Sequence, residues 1–164
     1  MRARLAHLWL WLRTWPAWLL NAQRRARLRE MRLFCRQLPE RLAGPLPAAL
    51  TALTPEQMPA RVSAESETSL REMADLAGLL ERRSPLGLCL RRSLTRYYYL
   101  RRAGVPVQIV FGARFVPGQS RQDITGHAWL ILDGEVYHES AENYRGFTPI
   151  YTFPPEMSKE SHTA

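Results

Sequence analysis

Apolar residues recur at helical spacing through the first two thirds of the chain and at a spacing of two after that. Leu5, Leu8, Leu12, Trp15 and Leu19 open a helical pattern that spans roughly 3–38, with Pro16 expected to kink or restart it. Over 21–37 the stripe continues in Leu28, Met31, Phe34 and Leu38, among Arg24, Arg25, Arg27, Arg29, Arg32 and Arg36. The pattern then breaks. Prolines at 39, 45, 47, 55 and 59 mark 39–68 as a loop-rich connection, with Thr54 and Pro55 suited to cap and begin a short helical turn. Leu70, Met73, Leu76, Ala77 and Leu80 predict a helix from Ser69 to Arg83, stopped by Pro85. A further helix is expected from Leu88 to just before Gly104. Its inner face is Leu90, Leu94, Tyr97 and Leu100, and Arg91, Arg92, Arg96, Arg101 and Arg102 cover the rest.

Beyond Gly104 the period changes. Val105–Phe115 and Gly126–Leu132 read as strands, and Asp133-Gly134 as a two-residue hairpin turn. Glu135–Glu139 is the expected returning strand, 140–147 a loop, and Thr148–Phe153 a last strand. Helices followed by an antiparallel sheet define the α+β class. The division expected is an N-terminal helical and loop-rich extension over 1–68, a core over 69–153, and a polar tail over 154–164.

At 164 residues and 46% hydrophobic, the chain is long and apolar enough to bury a core without disulfides. Its net charge of +8 favours acidic partners. The basic helix at 21–37 lacks a base-stacking module, so a solvated face is expected there and no nucleic-acid partner. The first apolar run, about 16 residues interrupted by His7 and Arg13, is too short and polar to span a bilayer. Trp9, Trp11, Trp15 and Trp18 suit either a helix that covers the core or meets a partner, or peripheral contact with the inner face of a membrane. Cys35 and Cys89 match neither a disulfide framework nor a zinc site, and no small-residue cleavage site follows the apolar start. A reducing cytoplasm is the expectation, with no metal or cofactor.

Cys89 falls at the expected start of a helix, where the dipole and free backbone N–H groups favour a thiolate nucleophile. Taken singly, it also suits a small core residue. His127, in GHAWL, opens a strand and is the candidate base. Pairing across the 133–134 turn brings Glu139 opposite or diagonal to His127, where a carboxylate would fix the imidazole tautomer. Asp123 is a second carboxylate candidate, and His138 points to the other face of its strand. The Cys89 backbone N–H is the natural first oxyanion donor; for the second, Gln108 is one candidate and another backbone group the preferred one. Cys35, within the basic helix, reads as a buried or semi-buried thiol.

The stretch LCLRRSLTRYYYLRRAGVPVQIVFGAR, followed by GHAWLILDG and the next strand, resembles the leader peptidases (B proteins) of lasso-peptide biosynthesis. These belong to the transglutaminase-like cysteine protease superfamily. The matching residues are Cys89-Leu90, Arg92-Ser93-Leu94, Leu100-Arg101-Arg102, Gly104, Val105–Arg114, His127-Ala128-Trp129 and Asp133-Gly134, within about residues 70–153. The resemblance implies a papain-like or transglutaminase-like fold and a triad of Cys89, His127 and an acidic member falling on Glu139, where the family usually has Asp. It implies cleavage of the leader from a ribosomally synthesised precursor peptide. It also implies a separate leader-recognition protein, since that module is not visible here, and contact with an ATP-dependent cyclase. An acyl transferase of the same fold, or a basic scaffold at a membrane surface, are the alternatives.

Overall fold

The structure, a computed structural model, describes residues 21–115 and 124–155. Packing divides the chain between Pro106 and Val107 into a helical unit and a sheet unit. The expected division at 68/69 marks a change in composition, a different partition from this separation of helices from strands.

The helical unit contains α1 (Ala22–Arg41), α2 (Leu46–Leu53), α3 (Ala64–Leu80) and α4 (Leu88–Arg102). Asn21 caps α1 by accepting from the Arg24 amide at 3.1 Å. The helix carries Pro39 in its last turn, so it runs slightly past its expected end. The prolines read as loop markers start α2: Pro45 is its cap residue and Pro47 sits in its first turn, where no N–H is needed. Thr54 ends that helix rather than beginning another, and its hydroxyl donates to the Leu50 carbonyl at 2.8 Å. Ser63 caps α3 through the Ser66 amide, and Glu65 and Glu67 complement the dipole, so α3 starts five residues before Ser69.

Met31, Leu38, Leu50, Leu94, Tyr97 and Leu100 are fully buried and place the core between the helices. The expected arginine-covered outer face of α4 is not what forms. Arg91 and Arg96 are buried. Arg91 donates to the Gly78 carbonyl at 3.2 Å and to the Leu86 carbonyl. Arg96 and Arg92 both hold Asp75 of α3, with Arg96 Nε donating to Asp75 Oδ1 at 2.5 Å and Arg92 Nε at 3.3 Å. Gly78 lets the two helices approach, since a Cβ there would come within 3.1 Å of Arg92 Cγ. Gly104 closes α4 at φ 78°, and a Cβ would strike the Pro59 carbonyl oxygen at 2.5 Å, so only glycine fits.

The sheet unit contains β1 (Gln108–Phe115), β2 (Ile124–Leu132), β3 (Glu135–Val136), α5 (Ala141–Tyr144) and β4 (Thr148–Phe153). All paired strands are antiparallel, in the order β3-β2-β1-β4. Asp133 and Gly134 take positive φ, as the tight turn requires. The returning strand is shorter than expected. Its regular ladder is Glu135–Val136, extended by a Tyr137 amide bond to the Leu130 carbonyl at 2.8 Å. His138 then turns to φ 48°, which carries the chain out of the ladder. The expected loop at 140–147 contains the short α5. The α+β class holds, with five helices and four strands among the described residues.

Candidate active site

The two candidate catalytic groups lie in different units, so each half is described by itself. In the helical unit, Cys89 is the second residue of α4, after the cap residue Gly87. Backbone N–H groups at a helix start have no intrahelical acceptor, which makes this first turn a donor-rich setting for a sulfur or a developing oxyanion. Cys89 is half-buried. The turn that delivers it is fixed from behind: Arg91 reaches back to the carbonyls of Leu86 and Gly78. The Arg91 guanidinium thus braces the approach to the helix.

Cys35 contrasts with Cys89. It is fully buried, and its Sγ shares a hydrogen bond of 3.0 Å with Thr95 Oγ1. Burial pushes its thiol up, more than the Thr95 bond and Arg91 lower it. Of the buried or semi-buried settings expected for this thiol, the structure shows the fully buried one.

In the sheet unit, His127 is half-buried on β2, directly across from Gly112 of β1. Trp129, two residues on, shares its face of the strand. The indole stacks on the imidazole at 5.9 Å between ring centroids and 20° between planes. Phe147, in the segment leading into β4, approaches the imidazole at 5.2 Å. Gly112 creates the room for this. A Cβ there would meet the Trp129 ring at 2.6 Å and Phe147 Cβ at 3.2 Å. The β1–β4 register shifts at the same place, between Phe111 and Gly112, leaving Ile150 as the extra residue of the bulge.

Glu139 follows the break at His138 and precedes α5. Its carboxylate accepts from the Asn143 side-chain amide, one helical turn on. That bond orients the candidate acid from the protein side. His138 is exposed and its ring meets Tyr137 edge-on at 4.6 Å. Asp123 and the four tryptophans at 9, 11, 15 and 18 lie outside the described residues. Gln108 donates its amide to the Pro154 carbonyl at 2.7 Å, so this donor ties β1 to the segment after β4.

Three residues here escaped the sequence reading. A lone glycine within a strand signals close approach of another group, and Gly112 carried that signal. Phe147 and Asn143 lie in what read as a loop and gave none.

A cavity of about 780 Å³ lies between α1 and α3, with Arg24, Arg27, Glu30, Ser66, Ser69 and Met73 in its wall. It contains neither Cys89 nor His127. No helix of the described residues is long and apolar enough to cross a membrane, and none of their His, Cys, Asp and Glu side chains group as a metal site.

No curated protein and no solved structure matches the chain. The sequence profile of the Transglutaminase-like superfamily matches residues 9–152, nearly the whole sequence and including the helices that read as an extension. A cysteine at a helix start, a histidine on the sheet and an α+β order of elements are combined here, and the chain belongs to the Transglutaminase-like superfamily.

Proposed function

We propose that the protein is a cysteine peptidase that removes the leader from a ribosomally synthesised precursor during lasso-peptide maturation. The observation that carries the chemistry is the contrast between the thiols. Cys35 is sealed in the core, whereas Cys89 is half-buried in the first turn of a helix in a superfamily of thiol-dependent acyl chemistry. The substrate class rests on the resemblance running from LCLRRSL to LDG.

In this reading Cys89 Sγ attacks the scissile carbonyl and His127 takes the thiol proton. The oxyanion is met by helix-start N–H groups. His127 then protonates the departing amine, leaving an acyl-thioester. Water, deprotonated by His127, adds to the thioester and releases the acid and the thiol. Glu139, held by Asn143, orients the imidazole. The reaction needs no metal or cofactor. A separate leader-recognition protein would deliver the precursor, and an ATP-dependent cyclase would receive the freed core. The setting is cytoplasmic, with the tryptophan-rich start available for peripheral membrane contact.

The test is incubation of the protein with the precursor and recognition protein encoded beside it, read by mass spectrometry. Wild type should give two fragments. Cys89→Ala and His127→Ala should each lower cleavage about a thousandfold or more with unchanged thermal unfolding, and Glu139→Gln should slow it less. Cleavage that survives Cys89→Ala would sink the proposal. A crosslinked product in place of fragments would assign the same thiol to acyl transfer.

A further inference from the structure

The sheet unit presents a cation beside the candidate base that the chemistry above does not use. Arg114 lies on β1 two residues beyond Gly112, and Gly112 is the register partner of His127. Alternate residues of a strand share a face, so Arg114 is on the face of Gly112, and therefore of His127 and Trp129. Its guanidinium carbon sits 4.6 Å from the centre of the Phe147 ring. The imidazole of His127 is 5.2 Å from that same ring. Gly146, in the left-handed region at φ 84°, lies beside the arginine stem: a Cβ there would be in ordinary contact with Arg114 Cδ at 3.8 Å.

Arg114 is exposed, and its guanidinium lies over a ring. Among the described residues its side chain makes no hydrogen bond or ion pair. This sets it apart from the arginines of the helical unit that are tied to Asp75 and Glu81. Stacking on an aromatic face leaves the edge of a guanidinium, with its forked N–H donors, free to bind a carboxylate.

Resting on the peptidase reading, we propose that Arg114 is a specificity-determining residue that binds an acidic side chain of the substrate close to the scissile bond. Imidazole and guanidinium flank one phenylalanine ring. An extended peptide rises about 3.3 Å per residue, so a carboxylate within roughly three positions of the bond served by His127 reaches Arg114. A bidentate arginine–carboxylate pair fixes register as well as adding attraction. The Phe147 ring is the positioning element for both groups.

The test uses the full chain and peptides in which a central unsaturated electrophile replaces the scissile bond. Asp, Gln or Lys is placed at each of roughly three positions on either side. The readout is the rate at which Cys89 is alkylated, located by mass spectrometry. Wild type should react about fivefold faster with the Asp than with the Lys peptide at one position, the scale of one exposed ion pair. Arg114→Glu should reverse that ratio, and Arg114→Gln should bring it near one, each with wild-type circular dichroism. Equal rates across the wild-type series, or a preference for Asp that survives Arg114→Glu, overturns the proposal and leaves the peptidase reading intact. Failure of every peptide to label Cys89 in folded protein overturns both.

Discussion

The two units use charge in opposite ways. In the helical unit, charged side chains are consumed by the frame. Asp75 is buried between Arg92 and Arg96, Glu81 takes Arg32 and Arg36, and Arg91 is spent on backbone carbonyls. In the sheet unit, rings and a missing Cβ position the candidate base, while Arg114 is left for a ligand. The comparison teaches that a net charge of +8 is no guide to where a partner binds. Several of those arginines hold α1, α3 and α4 together, and α4 carries Cys89. Substitution of a charge should therefore cost stability in the helical unit, and substitution in the aromatic cluster should cost chemistry.

The largest expected effect follows from removing Asp75. Asp75→Asn keeps the shape but takes the carboxylate away from Arg96, whose side chain is only 5% exposed. Breaking a buried pair from one side costs about 3–5 kcal/mol, because the remaining charge stays desolvated. The urea midpoint should fall accordingly with unchanged slope. The same site sets an acid limit. Burial would raise the Asp75 carboxyl, but Arg96 and then Arg92 more than offset it and hold it below the usual carboxylate range. A depressed folded value contributes stability that is full above the unfolded value, about 3.9, and is lost as pH falls through the folded one. Wild-type stability should therefore drop below about pH 4, and Asp75→Asn should flatten that part of the profile.

In the sheet unit the matching test is Gly112→Ala. The added methyl group must displace the Trp129 ring, which it would approach to 2.6 Å. Overpacking of this kind costs about 1–3 kcal/mol. Because the same indole stacks on His127, the imidazole proton resonances should shift and cleavage should fall further than stability does. A variant that lost stability with unaltered imidazole resonances would separate Gly112 from the site.

How much of this was legible in the sequence depended on whether the signal was local. The span of α4, the Asp133-Gly134 turn and the last strand were readable because a 3.6 period, a positive-φ dipeptide and Thr148–Phe153 each act within a few residues. Cys89 at a helix start came from the same periodicity, whereas Cys35 read only as a buried or semi-buried thiol within the basic helix. The buried arginines of α4 were misplaced because their partners, Asp75 and two carbonyls, come from other segments, and a helical wheel shows no partner. Prolines 45 and 47 were misread because proline both breaks a helix and begins one, and only the neighbouring packing decides. The hairpin rule that brought Glu139 toward His127 held as far as Tyr137, which bonds to Leu130. His138 ended it by taking a left-handed φ that its residue type does not announce.

The smallest effect sharpens the comparison from within the helical unit. Glu81 also pairs with two arginines, Arg32 at 2.9 Å and Arg36 at 3.2 Å, and its own side chain is only 9% exposed. Burial raises its carboxyl, and the bonds from Arg36 and Arg32 more than offset this and lower it. The difference from Asp75 lies in the partners. The Arg32 side chain is 39% exposed and that of Arg36 65%, so water solvates both once the carboxylate is gone. Glu81→Gln should then cost no more than about 1 kcal/mol, the range of solvent-screened pairs, and 0.5 M salt should erase most of it. Its contribution, like that of Asp75, is present above the unfolded carboxylate value and fades as pH falls. A loss as large as that of Asp75→Asn would mean that the carboxylate's burial, not the arginines' exposure, sets what such a pair is worth in this fold.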